Sequence, residues 1–113
     1  MPPPYAREIK HLAAPWTMGT QNLWMGISQL EPSSRSNRHA HPQQEEIFFV
    51  LLGEGKIAVG EDEFDVSEGS CVYVPMGEEH QLMNSRSDEV LRVLSVTSPS
   101  FTPEDFVNVH TPA

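Results

Sequence analysis

Short apolar segments separated by turn-forming residues recur along most of the chain. Each has the length of a β-strand, and together they occupy residues 23–30, 47–52, 56–59, 63–66, 70–74, 81–84 and 90–97. Gly, Pro, Asp, Asn and Ser lie between them, so a turn is possible about every eight to twelve residues. This spacing is typical of antiparallel strands joined by hairpins and predicts an all-β sandwich or barrel.

The segment at residues 47–52, Ile-Phe-Phe-Val-Leu-Leu, has no polar position at all. A strand with one face in water alternates between apolar and polar side chains, whereas a strand buried on both faces does not. The run therefore predicts a strand that is covered on both faces. A Gly-Glu-Gly turn at residues 53–55 ends it.

The two ends of the chain have a different pattern from its middle. Residues 1–20 have prolines at positions 2, 3, 4 and 15 and predict an irregular N-terminal arm before a barrel at residues 22–97. Residues 98–113 form a C-terminal tail, in which Thr-Pro-Glu-Asp at 102–105 has a capping hydroxyl, a proline suited to the first helical position and two acids. A short helical turn is expected there. The chain of 113 residues is long enough for one domain and too short for two.

Composition excludes several classes of partner. The chain has 7 basic and 16 acidic residues and a formal net charge of −9 at pH 7, so a phosphate backbone would be repelled. No apolar run approaches the roughly 18 residues of a membrane span, and the N-terminus lacks the apolar core of a signal peptide. The single cysteine, Cys71, excludes an intrachain disulfide and is expected to be a buried thiol. We expect a soluble, cytoplasmic protein with no nucleic-acid and no membrane partner.

Two histidines, His39 and His41, precede the apolar run. On an extended chain they lie on one face, about 7 Å apart, so both imidazoles can reach one metal ion. Surface loops also carry such pairs without metal, so a nearby carboxylate matters. Strict alternation favours Glu45 as that carboxylate, but Pro42 permits a bulge or turn that brings Glu46 to the histidine face.

Residues 69–84 contain fixed positions with a defined spacing: Gly69, five residues, Pro75, one residue, Gly77, two residues, His80, three residues and Asn84. This pattern resembles the second motif of the cupin superfamily at every fixed position. Gly and Pro make up only about 7% and 5% of average sequences, so the match is rare by chance in so short a chain.

Residues 33–53 are similar to the first cupin motif. The positions that match are His39, one residue, His41, four residues, Glu46, six residues and Gly53. The pattern departs at its start, because Ser33 stands where the family usually has a glycine, six residues before the first histidine. The six-residue gap before Gly53 favours Glu46 over Glu45 as the matching carboxylate.

The resemblance to the cupins implies a double-stranded β-helix, or jelly-roll barrel, as a single domain of residues 1–113. It also implies one divalent metal ion, because the family's three-histidine, one-carboxylate ligand positions are occupied by His39, His41, Glu46 and His80. Imidazole and carboxylate ligands accept Fe, Mn, Ni, Zn or Cu and do not identify the metal. Four protein ligands on an octahedral ion leave positions for water, substrate or dioxygen. Small single-barrel relatives commonly pair through terminal strands, so a homodimer is expected.

The expected function is that of a metal-dependent cupin acting on a small oxygen-containing metabolite, namely a carbonyl, enol or hydroxy acid. Isomerase, lyase, decarboxylase and dioxygenase reactions all remain open. The alternative is a non-catalytic, metal-containing module that binds a small molecule. An acidic or basic side chain beside the metal ligands would favour the enzyme over the binding module. The candidate catalytic residues are Tyr73, as a proton donor, and Arg92, as an anion anchor. A tyrosine that only packs and an arginine whose side chain runs outward to solvent are the more common cases.

Overall fold

The computed structural model describes residues 6–101. They form eight strands and one short helix: β1 (Arg7–Ala13), α1 (Pro15–Met18), β2 (Trp24–Leu30), β3 (Glu45–Leu52), β4 (Glu54–Val59), β5 (Asp62–Ser67), β6 (Cys71–Val74), β7 (His80–Asn84) and β8 (Leu91–Ser98). Neighbouring strands are antiparallel in two sheets, of order β1-β2-β8-β3-β6 and β5-β4-β7. The predicted double-stranded β-helix is confirmed. The expected helical turn at residues 102–105 lies outside the described residues.

The main apolar core lies between the two sheets, and a second, smaller cluster consists of Ala14, Trp24 and Phe101. Alternate side chains of β2 and β8 are buried along the whole of each strand, as expected for strands with one face on a core. The core residues are Leu30, Phe48, Val50, Ile57, Val66, Val74, Leu82, Leu91 and Val93. Among the described residues no helix is long and apolar enough to span a membrane.

Residues 7–13 differ from the irregular arm that the prolines predict. They form β1, the edge strand of the five-stranded sheet, with Arg7 opposite Leu30 and Lys10 opposite Ile27 in β2. The strand has no regular apolar alternation, so its sequence gives no period-two signal. Backbone pairing with β2 holds it in place, and pairing of this kind depends little on side-chain type.

The two faces of β3 also correct a prediction. Its apolar run is not covered on both faces by the described residues, because burial alternates along the strand. Phe48 and Val50 are 3% and 1% exposed, whereas three neighbours on the opposite face are 44%, 39% and 40% exposed, namely Ile47, Phe49 and Leu51. The same outer face continues onto β6, where Cys71 is exposed rather than buried as expected.

Two turn positions account for the start and the end of the first motif. At Gly53 the backbone φ is 94°, and a Cβ atom would clash with the carbonyl oxygen of Val90, so glycine is required where the chain leaves β3. Ser33 has a φ of 62°, in the left-handed region that favours glycine. The position therefore keeps the glycine conformation although the residue differs.

The side chain of Asn84, the last position of the second motif, joins three segments of the fold. Its amide nitrogen donates to the carbonyl oxygens of Leu30, Glu31 and Glu89, at 3.2, 3.2 and 2.8 Å. Its side-chain oxygen accepts a hydrogen bond of 2.9 Å from the backbone N–H of Arg86. One buried amide thus ties the end of β2 to β7 and to the loop before β8. The asparagine is explained by the fold, not by the metal site.

Candidate metal centre

His39 and His80 lie side by side because their backbones pair. The N–H of His39 donates to the carbonyl of His80 at 3.1 Å, and the N–H of His80 donates back at 2.8 Å. This places the two ring centroids 4.5 Å apart. The first histidine of one motif is therefore fixed against the histidine of the other by reciprocal hydrogen bonds.

His41 completes a cluster of three imidazoles. Its ring centroid lies 4.9 Å from that of His39 and 4.9 Å from that of His80. One ring nitrogen from each of the three histidines lies within 4.8 Å of the others. His41 is 2% exposed and His80 is 1% exposed, whereas His39 is half-buried, so two of the three rings are shielded from bulk water.

Glu46 is the carboxylate that reaches this cluster. It is 4% exposed, and its Oε1 atom lies 3.3 Å from Nε2 of His41 and 3.2 Å from Nε2 of His80. Glu45 is exposed and accepts a 2.9 Å hydrogen bond from the hydroxyl of Tyr73. The chain bends at residues 42–43 before β3 begins, so alternation cannot be counted from His41 into the strand. The structure therefore brings Glu46, and not Glu45, to the histidines.

Backbone carbonyls orient two of the imidazoles. Nδ1 of His39 lies 2.8 Å from the carbonyl oxygen of Asn37, and Nδ1 of His80 lies 3.1 Å from that of Glu78. A carbonyl oxygen can only accept, so each Nδ1 carries the proton and each Nε2 offers a lone pair. A hydrogen bond of this type from the second ring nitrogen is the usual support of a metal-binding histidine.

Burial and the contacts between the side chains together set the protonation states of His39 and Glu46. Burial, with a smaller contribution from the neighbouring His80, lowers the pKa of His39 to about 3. Burial raises the pKa of Glu46, but the contacts with His41 and His80 outweigh it, so the pKa of this carboxyl is lowered overall. At neutral pH a neutral His39 and an ionised Glu46 are the forms that bind a metal.

The spacing of the donor atoms fits a divalent ion. Two ligand atoms about 2.1 Å from an ion, at octahedral or tetrahedral angles, lie about 3.0–3.4 Å apart. The distances of 3.2 and 3.3 Å from Oε1 of Glu46 fall in this range. Nε2 of His80 and Oε1 of Glu46 are buried and form no hydrogen bond within residues 6–101. A cation between these two acceptor atoms would satisfy both.

A cavity of about 20 Å³ adjoins the cluster. Trp24 and Phe48 form part of its apolar wall, and Ser36 and Ser95 contribute hydroxyl groups. This volume accommodates about one water-sized group, so a ligand bound there has to be small. On another side of the cluster, Phe101 covers His41, with ring centroids 4.5 Å apart.

Tyr73 and Arg92 lie on the outer face of the five-stranded sheet, away from the histidines. Tyr73 is 54% exposed, and Val74, its neighbour along β6, is the residue that enters the core. The guanidinium of Arg92 donates from Nε and Nη2 to Oε1 of Gln29, at 3.1 and 2.8 Å. Neither side chain lines the cavity beside the cluster. The catalytic roles expected for them therefore stay predictions, made for side chains that lie outside this cavity.

Arg7 is the residue at the cavity that sequence analysis missed. It is 7% exposed, and its Nη2 donates to Oδ1 of Asn37 at 3.2 Å. Burial lowers its pKa to about 10, an effect that Glu46 opposes, so the guanidinium stays cationic at neutral pH. β1 lacks the apolar alternation that would have predicted a strand with Arg7 on its inward face. No signal in the sequence therefore identified this residue.

The two motifs and the geometry around the histidines can be compared with known proteins. A family model described as "Cupin domain" matches residues 26–97. The chain belongs to the cupin family. All four of the candidate ligands of this cupin, which are His39, His41, Glu46 and His80, lie within the matched residues.

Relatives and solved structures agree with the fold of this cupin. An uncharacterized protein of Streptomyces coelicolor is 37% identical over 79 residues, covering 70% of this chain and 72% of that protein. The oxalate-binding protein of Thermotoga maritima is 25% identical over 83 residues, covering 74% and 69%. The crystal structure of a predicted oxalate decarboxylase from Thermotoga maritima has a TM-score of 0.74 and 26% identity, covering 82% of this chain and 80% of that chain.

Proposed function

We propose that this cupin binds one divalent metal ion through His39, His41, Glu46 and His80 and acts on a small oxygen-containing metabolite. The ion is one of Fe, Mn, Ni, Zn or Cu, and the substrate is a carbonyl, enol or hydroxy acid. One observation carries the proposal: three histidine nitrogens lie within 4.8 Å of one another, and a buried carboxylate oxygen contacts two of the rings at 3.2 and 3.3 Å.

In this proposal the protein orients its ligands before an ion binds. The carbonyls of Asn37 and Glu78 hold His39 and His80 with Nε2 directed away from the backbone. Phe48 covers His80 from the core side, at a centroid distance of 5.7 Å, and helps to exclude water. A bound divalent ion supplies a Lewis acid for a carbonyl or enolate oxygen. The surroundings are poorly solvated, which strengthens attraction to developing negative charge.

The alternative function, a metal-containing binding module without turnover, is supported by the positions of Tyr73 and Arg92. Both lie outside the cavity, so neither is placed to transfer a proton or to hold a substrate there. Within residues 6–101, the carboxylate and imidazole groups that line the cavity are all candidate metal ligands. An isomerase, lyase, decarboxylase or dioxygenase reaction at this site would therefore depend on chemistry that the ion itself provides. Simple binding would not.

We also propose that the protein is a cytoplasmic homodimer. Strand pairing aligns two rows of apolar outer-face side chains across β2, β8, β3 and β6: the first is Met25, Val96, Ile47 and Tyr73, and the second is Ile27, Leu94, Phe49 and Cys71. A contiguous apolar surface of this kind is typical of an interface between proteins. A second copy would cover it, and an exposed cysteine in that surface is compatible with a reducing compartment.

Metal analysis tests the proposed ligand set. Elemental analysis of untagged protein is expected to show about one divalent ion per chain. His80→Ala is expected to lose this ion, because the two remaining imidazoles hold it far more weakly than three do. His11→Ala removes a histidine outside the cluster and should retain the ion. Unchanged metal content in His80→Ala would show that the ligand assignment is wrong.

Turnover is tested with a metabolite extract. Metal-loaded protein is incubated with the extract, with and without dioxygen, and mass spectrometry follows which compounds disappear and which appear. Loss that needs oxygen would identify a dioxygenase, and loss without oxygen would identify an isomerase, lyase or decarboxylase. Retention of a compound without conversion under either atmosphere would favour the binding module.

A further inference from the structure

Thr97 lies beside Glu46 on the inner face of the five-stranded sheet. The two residues are directly opposite each other on the antiparallel strands β8 and β3, and both are buried, at 1% and 4% exposed. Residues in this relation have Cβ atoms about 4.5–5.5 Å apart, so their side chains are neighbours. The side chain of Thr97 therefore borders the carboxylate that contacts His41 and His80.

The hydroxyl of Thr97 is not explained by the fold of the described residues. Its Oγ1 atom is buried and forms no hydrogen bond within residues 6–101. A buried hydroxyl without a partner destabilises a protein, and valine has almost the same shape and suits a β-strand equally well. Packing alone would therefore favour valine at this position, which indicates another role for the hydroxyl.

Glu46 needs a hydrogen-bond donor if it binds a metal ion. Its Oε1 atom lies closest to Nε2 of His41 and of His80, so it is the oxygen that would share an ion with them. A carboxylate that ligates a metal still has acceptor positions, and in proteins hydrogen bonds usually fill them and orient the group. On the other side of β3, the residue opposite Glu46 is Val74, which has no polar side-chain atom. Of the two side chains directly opposite Glu46, only that of Thr97 can donate a hydrogen bond.

We propose that Thr97 is a positioning residue for Glu46: when Glu46 binds the metal ion, the hydroxyl of Thr97 donates a hydrogen bond to its carboxylate and keeps it oriented toward the histidines. The inference rests on the proposed function, in which this carboxylate is a metal ligand. It adds to the site a residue that does not line the cavity and that lies outside the spacing of both motifs.

Three variants test the role of the hydroxyl. Thr97→Val removes it and keeps the shape of the side chain, whereas Thr97→Ser keeps the hydroxyl. Ser34→Ala is the matched control, because Oγ of Ser34 is also buried and forms no hydrogen bond within residues 6–101. The backbone of Ser34 bonds to Asn84, at the opposite end of β7 from His80, so this hydroxyl is remote from the histidines.

Competition with a chromogenic chelator measures the Zn²⁺ affinity of each folded protein. Thr97→Val is expected to weaken it by about tenfold, because loss of a hydrogen bond that orients a metal ligand has an effect of this size. Thr97→Ser and Ser34→Ala should stay within about threefold of wild type. The proposal is overturned if Thr97→Val binds as tightly as wild type, or if either of the other two variants loses as much as Thr97→Val.

The stability of the metal-free protein separates positioning from packing. Metal-free Thr97→Val lacks the unsatisfied hydroxyl, so its Tm should equal or exceed that of wild type, while the gain in Tm on adding Zn²⁺ should be smaller. A role in packing alone predicts the opposite, namely a lower Tm without metal and an unchanged gain. Circular dichroism checks the fold, and if Thr97→Val is unfolded, Thr97→Ala takes its place in the affinity measurement.

The affinity of wild type separates this inference from the proposed function. If wild type binds Zn²⁺ and Thr97→Val binds it equally well, the proposed ligand set stands and only the role of Thr97 is overturned. If wild type binds neither Zn²⁺ nor any other of the proposed ions, the proposed function fails, and the role of Thr97 fails with it.

Discussion

The two faces of β3 consist of neighbouring residues that have opposite environments. The inner face is buried and carries Glu46, Phe48 and Val50, whereas the outer face is partly exposed and carries Ile47, Phe49 and Leu51. The outer face begins with the exposed Glu45, so each face carries one glutamate followed by apolar residues, and yet only the inner face is buried. The comparison teaches that the informative position is the buried polar one, Glu46, and that the exposed apolar row is the surface that the proposed second copy would cover.

Replacing the two adjacent phenylalanines gives the largest expected difference between the faces. Phe48→Ala is expected to lower the free energy of unfolding by about 3–5 kcal/mol, because it leaves a cavity in the core. Phe49→Ala should cost less than about 2 kcal/mol at low protein concentration, where a second copy does not contribute. Urea unfolding measures both. Equal costs would show that the outer face is covered within one chain.

The two adjacent carboxylates give the next largest difference. Glu46→Gln is expected to weaken metal binding by about tenfold to a hundredfold, because it removes an anionic donor that contacts two of the histidines. Glu45→Gln, its matched control on the exposed face, should leave affinity within about twofold, since exposed charges contribute little. Competition with a chromogenic chelator gives both constants. The reverse order would assign the ligand role to Glu45.

A charge on the outer face tests the proposed dimer. Phe49→Lys places an ammonium group in the middle of the second apolar row and is expected to weaken self-association by at least about tenfold. Met18→Lys changes an apolar side chain that is 67% exposed on α1, away from that face, and should not alter the mass. Light scattering at micromolar concentration reports the species present. A wild-type protein that is monomeric there would contradict the dimer itself.

The smallest effect is expected at Tyr73. Tyr73→Phe removes only the exposed hydrogen bond to Glu45, so stability should change by less than about 0.5 kcal/mol. Metal content should equal that of wild type. Thermal unfolding and elemental analysis are sufficient to check this. A loss of turnover in Tyr73→Phe would support the catalytic role that its position argues against.

Most of the fold was predictable because turn residues punctuate the strands. The histidine positions were predictable for a different reason, namely the fixed spacing of the two motifs. Alternation alone would have selected Glu45, since it assumes a continuous strand from His41, and the bend at residues 42–43 breaks that continuity. The six-residue gap to Gly53 instead favours Glu46, the carboxylate that contacts His41 and His80, because that interval lies within the regular strand β3.

The failures have physical causes as well. An apolar run indicates side chains that avoid water, but it does not show whether residues of the same chain cover them. The segment 47–52 was therefore predicted to be buried on both faces. The edge strand β1 is held by backbone pairing to one neighbour, and its inward face carries Arg7 and Ile9. One charged and one apolar residue do not form a recognisable hydrophobic pattern, so neither the strand nor the buried arginine was predictable.

The position of β1 has a consequence for how such a protein diversifies. The four candidate metal ligands lie inside the matched residues 26–97, whereas Arg7 and Ile9, which line the cavity beside them, precede that range. Within residues 6–101, β1 pairs only with β2. Substitutions in β1 would therefore be expected to change the wall of the cavity while they leave the backbone that holds the four candidate ligands in place.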